Sequence, residues 1–178
     1  MTLRVPPAVR RHALALALVP LLGGAAAAED ARKAAIFPAE MNDPTLAYGR
    51  KNLPADQKRL GLVTDVLKAQ LSEKAGIESV DLGPQADEIR KESPLYKCNG
   101  CVPPIAKALG ADLAVTSFAD KGANQLFNLM IVISEAESGK VVRQGQVTIR
   151  ANTDDDWSHA VRWIVKNRLL AEPLPGRS

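Results

Sequence analysis

The chain has 178 residues, 46% of them apolar and 24% charged, which suits one domain with a proper core. Its net charge of +3 belongs to the first 28 residues: removing them takes away three arginines and no acid, so that 23 basic side chains become 20, against 20 acids. A chain balanced in this way argues against nucleic acid or an anionic membrane as its partner, since both need a basic surface.

Arg4, Arg10 and Arg11 precede an apolar segment at 13–22, and small residues follow at 23–28. This order of charged, apolar and small residues is that of a secretory signal peptide, with cleavage after Ala28 and Glu29 as the first mature residue. The apolar part is too short to span a bilayer, and no later run is long enough. No cysteine sits at the cleavage point to carry a lipid. The expected organisation is a signal peptide at 1–28, a single α/β domain at 29–171 and a loose tail at 172–178, in a protein exported to the periplasm.

Taken in order, KAAIF at 33–37 forms a first strand, ended by Pro38. Residues 38–55 form a long polar loop, of the kind that in compact domains is usually functional. Asp56 caps a helix whose apolar positions Leu60, Val63, Leu67 and Leu71 recur every three or four residues, and Gly76 ends it. IESVDL at 77–82 alternates as a second strand. A short helix at 85–92 follows Gly83-Pro84, and Ser93-Pro94 closes it. Cys98-Asn99-Gly100-Cys101 then leads into Pro103-Pro104 and another short helix through Leu109. Residues 113–118 and 126–134 are near-continuous apolar runs and should be interior strands covered on both faces. Residues 141–150 alternate, with Gln144, Gln146, Thr148 and Arg150 on a wet face, as an edge strand does. Glycine-containing turns at 121–124 and 137–140 make the three runs an antiparallel meander. A last helix spans 154–170, with Thr153 and Asp156 as a capping box and Asp154, Asp155 and Asp156 at the positive end of its dipole.

The residues that carry a resemblance are KAAIFPAEM, IESVDL, LGADLAVTSFAD, NLMIVISEAESGKVVRQGQ and NTDDDWSHAVRWIVKNRLL. Over about 33–170 the chain resembles the small exported bacterial proteins of unknown function related to the periplasmic domain of the curli-secretion lipoprotein and to the amino-terminal domain of the Tol-system propeller protein. That resemblance implies a three-layer α/β fold, a five-stranded mixed sheet in the order 2-1-3-4-5 with helices on both faces. Right-handed crossovers from strand one to two and from two back to three agree with it. The lipid-bearing cysteine, pore-forming hairpins and propeller repeats of those relatives are missing from this sequence, so pore formation and Tol assembly do not carry over.

Chemistry has few places to sit. Cys98 and Cys101 are the only cysteines. In an oxidising compartment they should form a disulfide that fixes the turn before the next helix. Thiol exchange is the sharper reading and metal binding a third, although the order of elements is not that of a thioredoxin. His159 is the only histidine after signal removal, so neither a His/Cys zinc set nor a catalytic triad without it can be built. It lies beside Arg162 and Lys166, as a solvated histidine would. Asp154 to Asp156 lack the alternating oxygen spacing of a calcium loop. No residue is assigned a catalytic role, and no cofactor or metal is called for.

The reading is therefore a periplasmic, non-enzymatic binding or adaptor domain acting on another exported or envelope protein or on a small ligand. The alternatives are a thiol-disulfide redox accessory using the CxxC pair and an accessory to a periplasmic quinoprotein system. Two surfaces follow. A ligand crevice at the carboxyl ends of the strands would gather Asn42, Asp43 and Tyr48, the loop of Cys98 and Cys101, and Asp120, Lys121 and Asn124. On the last helix, Trp157, Ala160, Val161, Ile164 and Val165 form the stripe that packs on the sheet. Trp163 falls about 140° from its centre, near His159, Lys166 and Leu170, and marks a partner surface unless the tail or the 38–55 loop folds over it.

Overall fold

A computed structural model describes residues 1–2, 31–49, 51, 53–123 and 125–176. The expected signal peptide and its cleavage point lie outside the described residues, as does Asn124. The strands are β1 (Lys33–Ile36), β2 (Glu40–Asn42), β3 (Glu78–Ser79), β4 (Leu113–Ala123), β5 (Leu126–Glu135) and β6 (Val141–Ile149). The helices are α1 (Pro54–Ala75), α2 (Ala86–Glu92), α3 (Val102–Ala108) and α4 (Asp154–Ile164), the last continued by a wide π-helical turn at Val165–Leu169.

The sheet is mixed, in the order β3-β1-β4-β5-β6, with β2 also paired to β4. β1 runs parallel to β3 and β4, and the last three strands form the antiparallel meander. The observed order differs from the expected 2-1-3-4-5 by the extra strand β2, which falls in the segment read as loop. Its origin is local. Pro38 has no N–H to give the ladder, and the next N–H, that of Ala39, turns aside to the Thr64 hydroxyl of α1 at 2.9 Å. Pairing with β4 then resumes, four residues on from Ile36 against three on from Val115, which is a one-residue bulge. The second strand is shorter than IESVDL because Ile77 is still bonded to Leu71 in the end of α1, and the Asp81 carboxylate takes the Gly83 N–H.

α1 begins at Pro54, a residue suited to the first helical position. Asp56 is therefore inside the first turn and not the cap. α4 does use the expected cap: the Asp156 N–H reaches the Thr153 hydroxyl, which in turn donates to the Asp156 carboxylate.

Alternate residues of the strands build two cores. Leu60, Val63, Leu67 and Leu71 of α1 and Trp157, Val161 and Ile164 of α4 pack on Val115, Phe127, Leu129, Ile131 and Ile133. Trp157 is fully buried, its ring centroid 5.0 Å from that of Phe127 and its indole N–H bonded to Asn152 at 2.9 Å. On the opposite face Ala35, Phe37 and Ala114 meet Leu95, Ile105 and Ala106. α3 has seven residues and is too short to reach across. The far face of β5 and β6, with Asn128, Met130, Gln144, Gln146 and Thr148, is thus half-buried or exposed. The expectation that 126–134 is covered on both faces is corrected: helices lie on both faces of the sheet, but along most of β5 and β6 only one face is roofed.

Candidate functional site

The β2–β4 pairing sets Asn42 directly beside Asp120, so two of the three loops expected at the crevice meet at one end of the sheet. The strand pleat then divides their side chains between the two faces.

On the face of α3, the Asn42 amide donates to Asp120 at 2.7 Å and accepts from the Tyr96 hydroxyl at 3.1 Å. Tyr96 stacks on Phe118 with centroids 4.9 Å apart. The Glu40 carboxylate accepts the N–H groups of Leu95 and Tyr96 at 2.9 and 3.1 Å. The turn at Leu95–Lys97 is in this way strapped over β2, and Cys98 follows it. Cys98 and Cys101 form a disulfide, both half-buried against the second core.

On the face of α1, Lys121 lies 3.1 Å from Asp43 and 2.7 Å from Asp56. The three side chains are 10, 4 and 2% exposed. Arg59 continues the chain from Asp56 to Asp154, which also holds Lys58 at 2.6 Å. Acid and base alternate along this line, tying the loop after β2, the end of β4 and the first turns of α1 and α4 into one neutral cluster. Burial pushes the Asp43 carboxyl up, but the Thr45 hydroxyl and N–H, together with Lys121, outweigh it and hold it below its ordinary value. Burial likewise pulls the Lys121 ammonium down, and hydrogen bonds to Asp56 and Asp43 outweigh that and raise it. Lys58 lowers Asp154.

The side chains assigned to the crevice therefore satisfy one another. Tyr48, 87% exposed, joins neither cluster. Among the described residues no three His, Cys, Asp or Glu side chains gather as a metal site. Reading the chain missed Glu40, Asp56, Arg59 and Tyr96, whose roles depend on contacts distant in sequence. Only the spacing of Asp56 and Arg59, three apart at a helix start, hints at one such contact.

The last helix is different. Trp163 is 37% exposed. The Arg168 guanidinium lies 5.5 Å from its ring centroid, and the Asn167 amide donates to its carbonyl at 2.8 Å. Together with Asp156, His159 and Ala160 of α4, Val147, Thr148 and Ile149 of β6, and Arg150, it lines a groove of about 190 Å³. His159 and Lys166 are exposed. Leu170 leaves this surface and packs on the first core, because the wide turn, closed by Leu170 N–H to Val165 O at 2.9 Å, rotates it away from Trp163. Neither segment expected to cover Trp163 does so among the described residues. The loop after β2 is held by Lys121, and the tail lies against Arg143, which donates to Pro173 O at 2.9 Å, and Arg32, which donates to Pro175 O at 2.5 Å. The tail, Arg32 and the end of α1 enclose the larger cavity, about 690 Å³. No helix among the described residues is long and apolar enough to cross a membrane.

A family model described as "Protein of unknown function (DUF2380)" matches residues 32–169. No curated protein matches the chain in sequence. Among solved structures, the chain is similar to the LpoB C-terminal domain from Escherichia coli, at 15% identity and a TM-score of 0.45 over 66% of this chain and 82% of that one. It is similar to lipoprotein GNA1162 from Neisseria meningitidis at 13% identity and a TM-score of 0.42, over 67% and 79%. The hypothetical protein CT253 from Chlamydia trachomatis gives 14% identity and a TM-score of 0.44, over 79% and 99%. These findings do not carry the narrower kinship with the curli-secretion lipoprotein or the Tol-system propeller protein.

Proposed function

This chain belongs to the family described as "Protein of unknown function (DUF2380)", and from its geometry we propose that it is an exported, non-enzymatic domain that binds another exported or envelope protein. The observation that carries this reading is Trp163. A tryptophan on the outward face of a helix leaves a large apolar area in water, and such residues are typical anchors of protein interfaces. Trp157, six positions earlier, is fully buried and supplies the aromatic that the core needs. Trp163 instead borders a groove, with His159 and Lys166 exposed on the same helix.

Export is supported by the order of charged, apolar and small residues at the amino terminus. The small-ligand reading is weakened, because Asn42, Asp43, Asp120 and Lys121 are already engaged with one another and with α1. Cys98 and Cys101 link the strapped turn to α3, which favours a structural role over thiol exchange. No observation favours the quinoprotein reading. The test is capture of envelope proteins by the wild-type chain and by Trp163→Ala and Trp163→Phe variants of unchanged melting temperature. A protein held by the first, lost with alanine and retained in part with phenylalanine supports the reading. A captured set indifferent to both changes removes it.

A further inference from the structure

We infer that the open edge of β6, beside the Trp163 groove, is a strand-addition site for an extended acidic segment of the bound protein; this rests on the binding role proposed above and names the kind of segment it takes.

The first observation is charge. The chain without its first 28 residues has equal numbers of acids and bases, yet residues 140–171 contain six basic side chains, Lys140, Arg143, Arg150, Arg162, Lys166 and Arg168, against three acids, Asp154 to Asp156. Of these acids, Asp154 is held by Lys58 and Arg59, and Asp156, accepting from Thr153, lines the groove. All six bases are exposed or half-buried. Elsewhere Lys58, Arg59, Arg90, Lys91, Lys107 and Lys121 each meet a carboxylate. Of the six bases, only Arg143 has an ion pair among the described residues, with Glu172 at 3.7 Å. Overall neutrality thus hides a local excess of positive charge along this edge.

The second observation is the strand. β6 has nine residues and pairs only with β5. Exposed edges are usually blunted by proline, lysine or an inward charge. From Gln144 to Ile149 none of these occurs, and Gln144, Gln146 and Thr148 offer neutral, exposed side chains.

The third is the groove. A Cβ on Gly145 would lie 2.6 Å from the Arg168 Cβ and 2.8 Å from the Ile164 Cγ2, so the end of α4 passes directly above the strand. An added strand would place alternate side chains on the helix side. One apolar side chain could enter between Val147, Ile149, Ala160 and Trp163, while acidic neighbours meet Arg150, which lines the same groove, and Lys166, exposed three residues on from Trp163. A second copy of this chain would instead bring the same six bases together, and a lipid surface would use neither the strand edge nor the groove.

The experiment follows backbone amide shifts of β6 and the Trp163 indole in the purified chain. The probes are a ten-residue peptide alternating glutamate and valine, its lysine-for-glutamate counterpart and phosphatidylglycerol vesicles. The acidic peptide is expected to shift the amides of Gln144 to Ile149 and the Trp163 indole, and the lysine peptide is not. Arg150→Glu with Lys166→Glu, both at exposed positions, should weaken the acidic peptide at least tenfold and admit the lysine peptide. Unmoved β6 amides, binding to vesicles alone, or sedimentation as a dimer through β6 would overturn the inference. If those results come while Trp163→Ala still releases a captured envelope protein, strand addition fails and the binding role stands. If Trp163→Ala also releases nothing, both fail.

Discussion

Lys121, at the end of β4, sets its ammonium 2.7 Å from the Asp56 carboxylate in the first turn of α1. With Asp43 on its other side at 3.1 Å, this cation is spent on holding the fold together. The end of the sheet that topology offers to a ligand is, on this face, a neutral line of charges sealed by a helix. That is why the binding surface is placed on α4.

Removing the cation tests that assignment. Lys121→Met leaves the buried Asp43 without a cation and the buried Asp56 with Arg59 alone, and should cost about 3–5 kcal/mol in urea unfolding. Adding Asp43→Asn and Asp56→Asn to the same chain should recover part of the loss. Unchanged stability in the single variant would mean that the cluster is not holding the helix to the sheet.

Acid and base should act on the same cluster from opposite sides. The Asp43 carboxyl is held below its ordinary value of 3.8, so its contribution is full above that value and is lost as pH falls through the lower folded value. Lys121 is raised above 10.5, so its contribution is full below that value and is lost as pH rises through the higher folded one. Melting temperature measured against pH should show a plateau between these limits, and Asp43→Asn should flatten its acid side alone.

The two tryptophans should separate in a stability assay. Trp157→Ala empties a fully buried site against Phe127 and should cost about 3–5 kcal/mol. Trp163→Ala gives up a stacking contact with Arg168 at a surface position and should cost about 1 kcal/mol or less. Urea midpoints of the two variants decide it, and equal losses would place Trp163 in the core.

The disulfide closes a very short loop, with Cys98 and Cys101 three apart in sequence. Replacing both with serine should cost about 2 kcal/mol or less by loop closure. Capture of a partner should be unchanged. Loss of capture at full stability would revive the thiol-exchange reading.

The meander, the capping of α4 and the opposed placement of its two tryptophans were legible because they depend on neighbours in sequence: apolar runs between glycine turns, Thr153 three residues before Asp156, and 100° per residue along a helix. β2 was not, since a three-residue strand after Pro38 has no pattern of its own and exists only because β4 extends past Phe118. Asp56 read as a cap because carboxylates suit helix starts, and its contact with Lys121, 65 positions away, has no local signal. Leu170 was assigned to the partner surface by regular helix geometry, which the wide turn at Val165–Leu169 does not follow. The long apolar run of β5 suggested cover on both faces, but seven residues of α3 cannot supply it.

The binding role proposed for α4 is tested most directly by photo-crosslinking in the producing cell, with a benzophenone amino acid placed at position 163 and, as an exposed control, at position 48. A discrete adduct with one envelope protein from position 163, absent from position 48, is the expected result. No adduct from position 163, or the same adducts from both positions, would contradict a partner surface at Trp163.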